Sequence, residues 1–137
     1  MKVILDCNIW ISLLIGHQKQ LIRRILTDQR FDVYVCEQLI NEIKDVASRD
    51  KIRKYVSGDD VRQLMRIIYS FCQFVSLEVE VAPSAIRDPK DLYLLSLAES
   101  IEANYIVSGD TDLTDLRCYN KTSIIKLAEF KTVMMYG

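Results

Sequence analysis

Two short, wholly apolar runs that each give way to an acid constrain this chain more than any other feature. Val3-Ile4-Leu5 ends in Asp6, and Tyr105-Ile106-Val107 passes through Ser108-Gly109 into Asp110. A run that is apolar at both alternating positions fits a strand covered on both faces, as in a parallel sheet between helices. Polar chemistry starts where these strands stop.

The intervening pattern supplies the helices such a sheet needs. Ile9 to about Leu26 is helical in period with a break near Gly16, and Leu21, Ile22, Ile25 and Leu26 form one stripe. Phe31 to Val35 alternates and is rich in β-formers, so it predicts a second strand. A helix follows near Glu37 to Ala47. Ser57-Gly58-Asp59-Asp60 reads as a helix start, and the stripe Val61, Leu64, Met65, Ile68, Phe71, Cys72 and Val75 is either core or a dimer seam. The alternation from Val75 to Val81 suggests a strand, and Asp88-Pro89-Lys90-Asp91 opens a helix to about Ile101. A short strand near Ile124-Ile125 and a helix from about Ala128 close the chain. Alternating strands and helices predict an α/β class with a doubly wound, mostly parallel sheet.

Composition narrows the class further. Half of the 137 residues are hydrophobic and 27% are charged, with four Gly and two Pro, which excludes disordered and collagen-like chains and predicts one domain over residues 1–137. A net charge of −1 excludes a histone-like binder but leaves room for a basic groove beside an acidic pocket. No apolar run is long enough for a membrane span, and Lys2 leads straight into the first strand without a signal-peptide pattern, so a cytoplasmic protein is expected. Cys7, Cys36, Cys72 and Cys118 are too scattered for a C-x-x-C or zinc motif and read as reduced core thiols. His17, the only histidine, reads as an exposed residue at a helix junction rather than a triad member.

In an open parallel sheet the carboxyl ends of the strands share one edge, and ligands bind in the crevice there. If the two acid-terminated strands are neighbours, Asp6 and Asp110 enter that crevice together. Asp91 joins them if its helix starts at the same edge, and Glu42 joins only if its helix lies over the crevice. Crowded carboxylates cannot all ionise cheaply, so such a set either raises pKa values or holds a hard divalent cation. Mg²⁺ takes one or two protein carboxylates and keeps waters that suit phosphates, and Mn²⁺ accepts the same oxygens. The matching chemistry is metal-assisted hydrolysis of a phosphate ester. Ordinary explanations exist for each acid: Asp88 as an N-cap before Pro89 with Asp91 near N3, Glu42 on a solvated helix face, Asp110 and Asp112 closing a turn. Spacing alone leaves both readings open.

The order of these acids resembles the PIN domain, a family of metal-dependent nucleases that includes VapC-like toxins of toxin–antitoxin pairs. Val3-Ile4-Leu5-Asp6-Cys7-Asn8 is similar to the family's opening strand with its D-x-N element. Glu37 to Ile43 resembles the helix that brings the second acid, and Arg87 to Ala98 the helix that supplies the third. Ala103 to Leu113 resembles the closing strand and acidic turn, and Ser123 to Phe130 the last strand and the start of its helix. The resemblance implies a three-layer α/β/α fold in which Asp6, Glu42, Asp91 and Asp110 are catalytic and, with Asp112, bind Mg²⁺ or Mn²⁺, while Asn8 and Ser108 support them. It implies that Asp6 and Asp110 hold one ion while Glu42 and Asp91 hold a second position or orient the attacking water. Cys7 departs from the pattern, since the family often has Thr or Ser there. From Arg49 to Val81 the likeness is only one of helical character.

The resemblance also implies a single-stranded or looped RNA substrate, cut to 5′-phosphate and 3′-hydroxyl ends, and a small antitoxin partner laid across the crevice. Arg49, Lys51, Arg53 and Lys54, with Arg62, Arg66, Lys19, Arg23 and Arg24, are candidate phosphate contacts, although dispersed surface cations are ordinary. Tyr55 can stack a base, whereas Trp10 fits core or interface packing better. Homodimerisation through exposed parts of the long helical stripe is a further expectation. Two alternatives stand beside the ribonuclease: a catalytically silent PIN-fold module that binds RNA or protein, and a Mg-dependent phosphatase, which Asn8 disfavours because a D-x-D pair is needed there.

Overall fold

The computed structural model describes residues 1–77 and 91–136. Among them the chain runs β1 (Lys2–Leu5), α1 (Cys7–Ile15), α2 (Lys19–Thr27), β2 (Asp32–Val35), α3 (Glu37–Ser48), α4 (Asp50–Arg53), α5 (Gly58–Phe71) and β3 (Gln73–Phe74). It resumes with α6 (Leu92–Ile101), β4 (Tyr105–Val107), α7 (Thr111–Thr114), β5 (Cys118–Tyr119), β6 (Thr122–Ile125) and α8 (Leu127–Tyr136). The strands form one sheet in the order β3-β2-β1-β4-β6-β5, parallel except for the β5–β6 pair. Helices flank this sheet, so the three-layer α/β arrangement matches the expectation.

The apolar runs are central because hydrocarbon on both faces must be covered. Val3, Ile4, Leu5, Ile106 and Val107 are buried in β1 and β4, beneath Trp10, Leu13, Leu39, Ile43, Leu94, Leu97 and Phe130. Trp10 is fully buried, which removes it as a base-stacking side chain. The expected helix break is real: α1 stops at Ile15, and exposed His17 takes the left-handed φ of 52° that turns the chain into α2. The α5 stripe is mostly core, through Leu64, Met65 and Ile68, while Phe71 is exposed. No helix among the described residues is long and apolar enough to cross a membrane.

Three expectations change. Cys72 leaves α5 directly in extended backbone, so the strand begins at Gln73 rather than Val75, and Val75 closes the pairing with its N–H donating to Val35 O at 3.0 Å. Val79 to Val81 lie outside the described residues. The third-acid helix starts at Leu92 with Asp91 in the cap position rather than near N3, and Asp88 and Pro89 are likewise outside them. Cys118 is exposed because it lies on β5, a two-residue edge strand, whereas Cys7, Cys36 and Cys72 are buried thiols.

A capping box starts α5: Ser57 Oγ accepts from Asp60 N at 3.1 Å, and Asp60 Oδ2 accepts from Ser57 N at 2.9 Å. Replacing such a cap by Ala costs about 1 kcal/mol. Ser57→Ala should therefore lower the melting temperature by roughly 3 °C in a thermal scan, with native circular dichroism below the transition.

Candidate active site

The sheet register brings the first two acids together. Leu5 lies opposite Val107, Asp6 N donates to Val107 O at 2.9 Å, and Ser108 N donates to Ile125 O at 2.9 Å. Asp6 and Ser108 thus leave adjacent strands at the same level. Ser108 Oγ donates to Asp6 Oδ2 at 2.7 Å and accepts from Asp110 N at 3.0 Å, linking the two strand-ending acids through one fully buried hydroxyl. Asn8 completes the cradle: its Nδ2 donates to Asp6 Oδ2 at 3.2 Å, and its Oδ1 accepts from Gly109 N at 3.1 Å.

Each of these acids also starts a helix. Asp6 is the N-cap of α1 and accepts from Cys7 N at 2.6 Å, while Asp110 is the N-cap of α7 and accepts from Asp112 N at 2.9 Å. The positive end of the nine-residue α1 dipole favours the Asp6 anion. Burial nevertheless prevails. Asp6 is only 3% exposed, and desolvation, helped by the charges of Glu42 and Asp110, pushes its carboxyl up to about 6 against the lowering contacts from Ser108 and Cys7.

The other two acids arrive from helices. Glu42 sits in α3, half-buried, and Asp91 is buried at the start of α6, the helix that leads into β4. Asp6, Glu42, Asp91 and Asp110 line one cavity of about 330 Å³ with Cys7, Asn8, Ile11, Ser12, Ile15 and Val46. Among the described residues no Lys, Arg or His is in that lining. Asp112 does not line the cavity either; its N–H fixes Asp110.

Two residues at the site escape a reading of the sequence. Tyr93 Oη donates to Glu42 Oε1 at 3.0 Å, and the Cys7 thiol lies close enough to feel the Glu42 charge. The Cys7 signal was present as an odd residue within D-x-N. Tyr93 gave none, because its partner is 51 residues away. Burial and the neighbouring Glu42 carboxylate hold both groups protonated, well above their ordinary pKa values.

A hard divalent cation fits this donor set. Its four carboxylates present the oxygen ligands that such an ion takes. Among the described residues no three His, Cys, Asp or Glu side chains close into a ready-made cage. Mg²⁺ does not need one, since it binds through one or two carboxylates and retains water.

The candidate RNA-contact residues are spread out. Arg49, Lys51, Arg53 and Lys54 are exposed around α4, and the charge of Arg49 is felt at the Cys7 thiol. Arg49 also pairs with Asp45 at 3.1 Å, and Arg62 with Asp59 at 3.4 Å. Lys19 and Arg24 line a different cleft, of about 740 Å³, with His17 and Lys131.

A family model described as PIN domain matches residues 2–112. Among solved structures, the chain is similar to one from the VapBC2 complex of Rickettsia felis bound to a DNA fragment from their promoter, at 12% identity and a TM-score of 0.61, covering 92% of this chain and 98% of that one. It is similar to the PIN domain of human SMG5 at 14% identity and a TM-score of 0.54, covering 98% and 99%. The PIN domain of T. brucei RRP44 matches at 14% identity and a TM-score of 0.51, covering 98% and 80%. No curated protein matches the sequence.

The raised carboxyl of Asp6 sets a direction for stability. Its folded pKa, about 6, lies above the ordinary 3.8, so its contribution is fully present below 3.8 and is lost as pH rises through about 6. In urea titrations of metal-free protein, Asp6→Asn should gain stability relative to wild type as pH rises from 4 to 7, by on the order of 2 kcal/mol. A difference between the two proteins that does not change with pH would contradict this.

Proposed function

This chain belongs to the PIN-domain family, and from that premise we propose that it is a metal-dependent endoribonuclease that hydrolyses RNA phosphodiester bonds as the toxin component of a toxin–antitoxin pair. The observation that carries the reading is the cavity whose wall holds Asp6, Glu42, Asp91 and Asp110 together. Asp6 and Asp110 would hold Mg²⁺ or Mn²⁺, and Glu42 and Asp91 would hold a second position or orient the attacking water. A bound ion supplies Lewis acidity and lowers the pKa of water. Ser108 and Asn8 keep Asp6 and Asp110 in register during that attack.

Arg49, Lys51, Arg53 and Lys54 supply sequence-independent phosphate contacts from α4 and its flanks. The toxin role is supported by the likeness to a VapBC2 chain and brings with it a small antitoxin across the acidic crevice, in the cytoplasm. A homodimer contact through Tyr69, Phe71 and Phe74 belongs to the same reading. All three are exposed, and Tyr69 and Phe74 stack at 5.0 Å on the outer side of α5.

A silent PIN-fold binding module is the second reading, favoured by the lack of a closed three-ligand cage among the described residues. A panel of defined RNAs incubated with Mn²⁺ or Mg²⁺, with and without EDTA, separates the two. The nuclease reading expects cleavage that EDTA abolishes and that Asp6→Asn reduces to background while the fold is retained. An Asp6→Asn variant as fast as wild type would refute the role given to Asp6.

A further inference from the structure

We propose that Tyr93 is a positioning residue for Glu42, supplying from across the crevice the hydroxyl that Cys7 lacks. The inference rests on the nuclease reading and adds a residue to it. Tyr93 Oη donates to Glu42 Oε1 at 3.0 Å, while its half-buried ring packs against the core and does not line the cavity. It therefore touches Glu42 without facing the substrate. An ionised carboxylate only accepts hydrogen bonds, and the phenol O–H supplies one to it.

The bond also joins the two helical elements of the site. Tyr93 lies in the first turn of α6, two residues beyond Asp91, and Glu42 lies within α3. Among the described residues the Tyr93 hydroxyl is a neutral donor on the Glu42 carboxylate, and it leaves the remaining acceptor positions for an ion or its water in the cavity. Partners of this kind, which orient a ligand without touching the metal, typically contribute 10- to 100-fold to metal affinity.

Mn²⁺ affinity, read by electron paramagnetic resonance of the free ion and by thermal shift, tests the assignment without relying on turnover. Tyr93→Phe should bind Mn²⁺ about 10-fold more weakly than wild type, with its metal-free melting temperature close to the wild-type value. Adding Cys7→Ser, which places a stronger donor beside Glu42, should recover part of the loss. Tyr119→Phe, which removes a phenol bonded to Glu99 at 3.2 Å outside the cavity, should bind as wild type does. Wild-type affinity in Tyr93→Phe would overturn the positioning role and leave the nuclease reading intact. A wild-type protein that binds no Mn²⁺ would sink both.

Discussion

The parallel pairing of β1 with β4 is the constraint on which the rest of this structure depends. Its register sets Asp6 beside Ser108, so a carboxylate buried at the sheet edge meets a hydroxyl, an amide and a backbone N–H instead of hydrocarbon. A buried charge without such partners costs several kcal/mol, and a one-residue slip would turn every side chain of the strand to the opposite face. Because the runs Val3-Ile4-Leu5 and Tyr105-Ile106-Val107 are apolar on both faces, it is Asp6 and its partners that oppose the slip. The site therefore helps to fix the register of the core.

The acids are held by different means, in an order that follows their distance from the sheet. Asp6 and Asp110 are fixed by backbone, each as the cap of the helix that leaves its strand. Asp91 is fixed by the start of α6, and Glu42 accepts from the Tyr93 hydroxyl. The three contacts Asp6 accepts do not fully offset its desolvation, and its carboxyl stays raised. A cavity of this kind is unfavourable when every acid is ionised and becomes favourable once positive charge enters it.

Much of this was legible in the sequence, for identifiable reasons. Short apolar runs bounded by acids give buried parallel strands, Ser57 followed three residues later by Asp60 gives a capping box, and strand ends give the placement of Asp6 and Asp110. What was not legible depended on partners distant in the chain. β3 is two residues long and pairs through backbone, so neither exposed Gln73 nor exposed Phe74 reveals it. β5 is equally short, and its presence at the edge is why Cys118 faces outward. Tyr93 reads as an ordinary helical aromatic until α3 is laid beside it. Glu42, which by spacing alone fits a solvated helix face and was singled out only by the resemblance, lines the same cavity as the other three acids.

The account stands or falls on whether the four carboxylates share a divalent ion. Anomalous scattering from a crystal equilibrated with Mn²⁺ tests this most directly. The account predicts a peak inside the cavity, in contact with Asp6 or Asp110 and within one water of Glu42 and Asp91. An empty cavity at millimolar Mn²⁺, or a peak only on surface carboxylates elsewhere, would contradict it.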